Sequence, residues 1–227
     1  MIVASAYRRG LRDSASIALG YVPVAISFGL AAVHAGLSPW LAVLVSLIVY
    51  AGASQFILIS LFVAGAAYPS ILGIVLVMNL RHVFYGPTLM GFFTGSRSVS
   101  SLFMAPGLTD EVFAASAAGV ARQPAHEQES WYCGLQLGSY LSWVLGTAIG
   151  AFFASDLLGQ SPVLEKTLGF VLPALFFALL LEIRRSAPLP VLVAAALGAV
   201  LAMTVVPSYL AIIVGMLAGG LMALRRA

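Results

Sequence analysis

Polar groups inside an apolar chain are costly, and they persist where they pair, line a cavity or act on a ligand. Three stretches of this sequence collect them. The first is Tyr50-Ala51-Gly52-Ala53-Ser54-Gln55-Phe56. A helix broken here presents the free backbone N–H groups of its second half, which attract an anion such as a carboxylate. Gly52 and Ser54 would stand at that break, and Gln55 would add a side-chain hydrogen bond. The same small residues also suit close helix packing, with Gln55 bonded to a neighbour. Both readings stand on the sequence.

The second stretch is Met78-Asn79-Leu80-Arg81-His82-Val83-Phe84-Tyr85-Gly86-Pro87. Asn79, His82 and Gly86 share one helical face at spacings of three and four. Arg81 is able to grip a carboxylate through two parallel bonds. His82 belongs to the side-chain type that titrates near neutral pH and relays protons. Tyr85 adds a phenol. In the structural alternative, Arg81 pairs with Asp110 or Glu111 to staple two helices, and His82 is a neutral, hydrogen-bonded histidine. One helix bearing four polar groups favours a functional role for the cluster.

The third stretch is Gly107-Leu108-Thr109-Asp110-Glu111-Val112-Phe113. Thr109 is placed to cap a helix whose first turn carries Asp110 and Glu111, where acids favour the helix dipole. Alternatively, one of these carboxylates binds a substrate ammonium or carries a proton. Tyr21, Tyr132, Gln136 and Glu182 are lesser candidates. Glu182 reads as an interfacial partner of Arg184 and Arg185, while Gln136 and Cys133 read as helix packing. Trp40, Trp131 and Trp143 read in part as membrane-interface anchors, Trp40 and Trp131 at helix openings.

Composition fixes the elements that carry these groups. The 227 residues are 61% hydrophobic and 8% charged, against about 45–50% apolar and about 25% charged in soluble domains. Eight acids and eleven bases cannot clothe a water-soluble surface of this size. In lipid, backbone polar groups must pair within helices or a closed barrel. Long runs of Leu, Ala, Val and Gly, without the alternation of barrel strands, select helices. The fold class expected is an all-α polytopic integral membrane protein. About seven or eight transmembrane segments are expected near 15–34, 40–64, 69–93, 102–121, 131–154, 163–182, 189–206 and 208–224, some of them broken helices.

Residues 1–13 read as a basic lead closing on Asp13 or Ser14 as a helix cap. The first apolar run reads as a retained helix rather than a signal peptide. Segment 102–121 is interrupted by Pro106-Gly107 and is the one whose crossing is in question. If it crosses and the N-terminus is cytoplasmic, Arg122, Arg184, Arg185, Arg225 and Arg226 all fall on the cytoplasmic side, as the positive-inside rule requires.

The net charge of +3 does not indicate a nucleic-acid partner, because the bases cluster at segment ends rather than on one face. A single cysteine excludes an internal disulfide and a cysteine metal cluster. No phosphate-binding glycine loop, zinc-protease motif or nucleophile elbow occurs; no cofactor and no catalytic residue are expected. A faint repeat at an offset of 121 sets Ala53, Phe56, Leu58 and Pro69 against Ala174, Phe177, Leu179 and Pro190. It divides a single transporter domain into halves 15–121 and 131–224, unless the agreement is chance in a low-diversity sequence.

Taken together, YAGASQF, MNLRHVFYG and TDEVFA, in this order and spacing, resemble the AzlC family of branched-chain amino acid permeases, also called azaleucine-resistance proteins. The resemblance covers nearly the whole chain. It implies a secondary transporter exporting valine, leucine, isoleucine and, as a further candidate, methionine across a bacterial inner membrane, together with a small AzlD-type membrane subunit. The substrate contacts expected are Gly52, Ser54, Gln55, Asn79, Arg81, His82, Tyr85, Asp110 and Glu111, with Phe56, Phe84 and Phe113 near enough to form an apolar pocket. An intramembrane enzyme and a non-transporting scaffold subunit are the competing classes.

Overall fold

The long apolar runs of this chain have no polar surface to present to water, and they fold as helices. The computed structural model describes residues 3–95, 99–153, 177, 188–206 and 208–225. Segment 163–182 apart from Phe177, its Ala174 and Leu179 included, together with Glu182, Arg184, Arg185 and Arg226, lies outside the described residues. No strand occurs among those described. The helices are α1 (Ala4–Asp13), α2 (Ala15–His34), α3 (Pro39–Ile48), α4 (Gly52–Val63), α5 (Tyr68–Asn79), α6 (Arg81–Met90), α7 (Ser101–Met104), α8 (Asp110–Gly119), α9 (Gln128–Phe152), α10 (Leu189–Ala202) and α11 (Ser208–Leu224).

Among the described residues, helices fall in this order over the expected segments 15–34, 40–64, 69–93, 102–121, 131–154, 189–206 and 208–224, several of them in two pieces. α2 spans 20 residues, and α5 and α6 together span 23; both stretches are long and apolar enough to cross a membrane. Segment 40–64 divides into α3 and α4, as the Gly52–Gln55 signal suggested. Segment 69–93 tightens at Leu80, where i→i−3 hydrogen bonds replace the regular ladder. Segment 102–121 reduces to the four-residue α7 and the ten-residue α8. Local signals set the boundaries. Ser38 accepts from the Leu41 N–H with Pro39 opening α3. Gly36 and Gly65 turn the chain at φ of 91° and 71°, a region only glycine enters freely. Pro69 and Pro190 each sit at the start of a helix, where a missing N–H costs nothing.

α9 is the spine of the molecule, and glycine is what lets α1 and α2 lie against it. A Cβ added at Gly134 would stand 2.1 Å from the Tyr7 carbonyl oxygen, and one at Gly10 would stand 1.9 Å from that of Trp131. One turn-set further on, Gly150 faces the Ile26 carbonyl and Gly29 faces that of Thr147. Backbones in contact at small residues are how helices associate when lipid competes for every apolar side chain. The Ser46 and Thr147 hydroxyls, 2.7 Å apart, tie α3 to the same spine.

Within the basic lead, residues 4–13 form α1, a helix packed on α9. Its Ala6 and Gly10 are buried, and Arg8, Arg9 and Arg12 face outward. Arg9 pairs with Glu127. Neither expected cap acts as one. Ser14 has helical backbone angles and donates to the Leu11 carbonyl, and Asp13 accepts the Trp131 indole N–H at 2.7 Å. Trp131 is thus an interior residue and not an interface anchor, and Trp143 is likewise buried. Trp40, 73% exposed, keeps the anchor reading. The outer surface is apolar along its length, with Leu19, Leu44, Ile48, Leu72, Leu76, Val83 and Phe84 all exposed.

Candidate functional site

The three polar stretches meet, each at an interruption of helical backbone. Between α3 and α4 the chain is extended, with Ala51 at φ −152°, ψ 100°. The Ala51 N–H closes a tight turn on the Val49 carbonyl at 2.9 Å. Gln55 holds this break together. Its amide donates to the Val49 carbonyl, and its oxygen accepts the Trp143 indole N–H at 3.1 Å. Gly52 is required here because a Cβ would meet the Trp143 ring at 2.7 Å. From the next helix the Ser54 hydroxyl donates to the Asn79 side-chain oxygen at 3.0 Å, joining the α4 break to the tightened turn at Leu80.

The third interruption opens α8. The Thr109 hydroxyl oxygen accepts the Val112 N–H and lies 2.6 Å from the Tyr21 hydroxyl, which donates to Glu111 at 2.6 Å. Every group is satisfied when Thr109 donates to Tyr21 and Tyr21 to Glu111. Asp110 is engaged on both oxygens, one accepting from the Tyr85 hydroxyl at 2.6 Å and the other in an ion pair with the Arg81 guanidinium at 3.0 Å. Tyr85 is held in place by stacking on Phe113, ring centroids 4.6 Å apart.

These groups enclose a cavity of about 370 Å³, near the lower end of the roughly 300–1,000 Å³ range of small-molecule pockets. α2 supplies Ile17, Gly20, Tyr21 and Val24, the α4 break supplies Tyr50 to Ala53, and α8 supplies Thr109, Asp110 and Glu111. Arg81, His82 and Trp143 complete the wall. Two helix N-termini face it with different charge. α8 carries two acids in its first turn, whereas α4 has no acid and no side-chain cap. One pole of the cavity is therefore negative, and the other offers bare N–H groups.

Of the residues expected from sequence, Gly52, Arg81, His82, Asp110 and Glu111 line the cavity. Ser54, Gln55, Asn79 and Tyr85 stand behind its wall and hold the lining in place through the bonds above. Both readings of Arg81 have a counterpart, since it pairs with Asp110 and still borders the cavity. The three phenylalanines expected as an apolar pocket are elsewhere. Phe56 packs edge-on against Phe28, Phe84 is exposed on the outer face, and Phe113 backs Tyr85. Ile17, Val24, Tyr21 and Trp143 make the apolar wall instead. The signal available for α2 was the run Ile17, Gly20, Tyr21, Val24, one helical stripe at spacings of three and four.

Thr109 serves two elements at once, so Thr109→Val removes the α8 cap and the Tyr21 anchor together. Loss of a cap alone costs about 1 kcal/mol. The expected outcome is a lower melting temperature of the protein in detergent. Thr109→Ser, which keeps the hydroxyl, should melt close to the native protein.

Residues 16–157, from the start of α2 past the end of α9 and including every residue that lines the cavity, match the AzlC protein family. The chain is 40% identical over 222 residues to the inner membrane protein YgaZ of Escherichia coli, covering 97% of this chain and 91% of that one. An uncharacterized membrane protein of Archaeoglobus fulgidus is 40% identical over 175 residues, 77% of this chain and 74% of its own. The branched-chain amino acid transport protein AzlC of Bacillus subtilis is 28% identical over 180 residues, 78% of this chain and 68% of its own. No solved structure matches. With the lipid-suited composition, the apolar outer surface and the family match covering the whole cavity, this chain is a helical membrane protein belonging to the AzlC family.

Proposed function

We propose that this chain is a secondary transporter that exports branched-chain amino acids (valine, leucine and isoleucine, with methionine as a further candidate) across a bacterial inner membrane, working with a small AzlD-type membrane subunit. In this reading it crosses the membrane seven or eight times with its N-terminus in the cytoplasm, which the exposed Arg8, Arg9 and Arg12 support through the positive-inside rule. The observation that carries the reading is the cavity of two unlike poles. An amino acid zwitterion has one charge of each sign a bond or two apart, and few other small metabolites need an acidic pair and a bare helix N-terminus across one small space. In this reading the ammonium meets Asp110 or Glu111, the carboxylate meets the α4 break or Arg81, and the aliphatic side chain lies against Ile17, Val24 and Trp143. Broken helices whose half-helix ends meet a substrate charge recur in secondary transporters. The transport named for the Bacillus subtilis relative supports the substrate class. Halves 15–121 and 131–224 are proposed as the repeat units of one domain.

The test is efflux from cells that lack their own branched-chain exporters, loaded with branched-chain dipeptides. The chain should release valine, leucine or isoleucine, alone or with an AzlD-type subunit. Arg81→Ala should lower release at least about tenfold, because it leaves the Asp110 carboxylate unpaired at the cavity, while the protein still inserts. Undiminished release by Arg81→Ala removes Arg81 from the site, and no release by the native chain with either partner state sinks the proposed activity.

A further inference from the structure

We propose that a second cavity, beside the α3–α4 break, is the entry chamber for the transported amino acid, and that the Tyr50 and Tyr140 rings form the gate between it and the substrate cavity. The assignment rests on the transport reading and adds the route by which the amino acid reaches its site.

The second cavity encloses about 400 Å³, with Tyr7, Leu47, Cys133, Gln136 and Tyr140 in its wall and the exposed Ile48 and Phe103 at its rim. The same two elements wall both cavities. Leu47 and Ile48, at the end of α3, face the second, and Tyr50 to Ala53, just beyond, face the first. On α9, Gln136 and Tyr140 face the second and Trp143 faces the first. Where the two approach, the Tyr50 and Tyr140 rings are in contact, centroids 4.9 Å apart and planes at 69°. Tyr50 is only 7% exposed, so the passage is shut in this structure.

The order of the cavities suits an exporter. At about 1.5 Å per residue, Cys133 stands about 15 Å before Trp143 along α9. That displacement is toward the end where Glu127 pairs with Arg9. In the orientation proposed for the chain this end is cytoplasmic, the side from which an exporter loads.

The two rings are held unequally. Tyr140 belongs to α9, and its hydroxyl donates to the Leu47 carbonyl at 2.8 Å. Tyr50 belongs to the non-helical stretch 49–51, where no helical ladder fixes the backbone. Its hydroxyl makes no hydrogen bond. Turning the Tyr50 side chain therefore breaks no such bond, and a cavity on each side gives the ring room. Moving Tyr140 would cost its bond to Leu47. Positions at the ends of elements are the ones that absorb the backbone changes of a closing or opening step. Tyr50 is thus the moving leaf of the gate and Tyr140 the fixed one.

Cys133 is the single cysteine, so the native chain carries a thiol reporter in the second cavity. Cys133→Ser with Val24→Cys moves the reporter to the first. Inside-out membrane vesicles holding the full chain are treated with a water-soluble, membrane-impermeant thiol reagent. A gate open a tenth of the time or less slows access by at least about tenfold. The expected result is that Cys133 reacts and Val24→Cys reacts at least about tenfold more slowly. Adding Tyr50→Ala should bring the Val24→Cys rate up to that of Cys133 and leave Cys133 itself unchanged. Tyr140→Ala, which removes the opposite leaf, should do the same, and it carries the test if Tyr50→Ala fails to accumulate. Reaction of Cys133 with a lipid-soluble reagent alone would set the second cavity against lipid and overturn the assignment. It is also overturned if Val24→Cys reacts as fast as Cys133 behind intact rings, if neither variant speeds it, or if both positions speed up together. A chain that shows the gated labelling but releases no amino acid from loaded cells keeps the gate and loses the proposed substrate.

Discussion

A leucine at Gly150 should leave almost no protein in the membrane. The Cβ it introduces would stand 2.1 Å from the Ile26 carbonyl oxygen, and the obstruction is backbone, which has no rotamer to retreat into. The complementary contact is equally close, because a Cβ at Gly29 would stand 2.3 Å from the Thr147 carbonyl oxygen. Overpacking of a well-filled site costs about 1–3 kcal/mol and sometimes more, and here it can be relieved only by parting α2 from α9. That separation pulls Tyr21 from Glu111 and Thr109, and so takes the cavity wall with it. Immunoblots of membrane fractions, followed by size-exclusion chromatography of what remains, measure the effect. Gly73→Leu is the matched control, as its Cβ would meet nothing within 4 Å. Accumulation of Gly150→Leu at the native level would mean that α2 and α9 are not packed at these glycines.

The second large effect is expected at Gly20, with the opposite signature. Gly20 lies on the stripe of α2 that borders the cavity, and a Cβ there meets nothing within 4 Å. Gly20→Phe therefore projects a ring into the empty space. Replacing a helix-interior glycine by a better helix former removes a penalty of up to about 1 kcal/mol. The protein should accumulate normally and lose efflux by at least about a hundredfold, because the space the substrate needs is filled. Gly20→Ala, which adds one methyl group, should retain measurable efflux. Full efflux by Gly20→Phe at native membrane levels would place the transport route somewhere other than this cavity. Between them the two glycines separate folding from function on neighbouring turns of the same helix pair.

Much of the fold was legible because its signals are local. The apolar run 15–34 coincides with α2, the run from about 40 begins within one residue of α3, and Thr109-Asp110-Glu111 marked the start of α8. The break ahead of Gly52 was legible for the same reason, from a cluster of small and polar residues where an apolar helix should have continued. What escaped depends on partners far along the chain. α1 carries three arginines and reads only as a basic lead until Gly134 is seen to admit its backbone. The four-residue spacings Gly134 to Gly138 and Gly146 to Gly150 were visible, but nothing local says which helix enters them.

The same limit applied to the site. Trp131 and Trp143 carry the composition of interface anchors, and only their bonds to Asp13 and Gln55 place them inside. The polar stretches were legible as a set because their cost in lipid is a property of residue type. Which of their members face the cavity was not, since Ser54 and Asn79 satisfy each other and Gln55 satisfies the break. Phe56, Phe84 and Phe113 were near the polar clusters in sequence, yet the turn of each helix directs them away, and α2 supplies the apolar wall that no sequence neighbour could.

The most direct measurement is protection of the cavity by its substrate. Cys133 is the single cysteine, so Cys133→Ser gives a thiol-free protein into which Val24→Cys introduces one reporter at the cavity wall. Its rate of reaction with a small membrane-permeant thiol reagent is followed in vesicles as amino acids are added. Valine, leucine and isoleucine should slow the reaction in a saturable manner, while aspartate and lysine should not. A rate indifferent to every amino acid, in a protein that still releases leucine from loaded cells, would contradict the claim that this cavity is where the substrate binds.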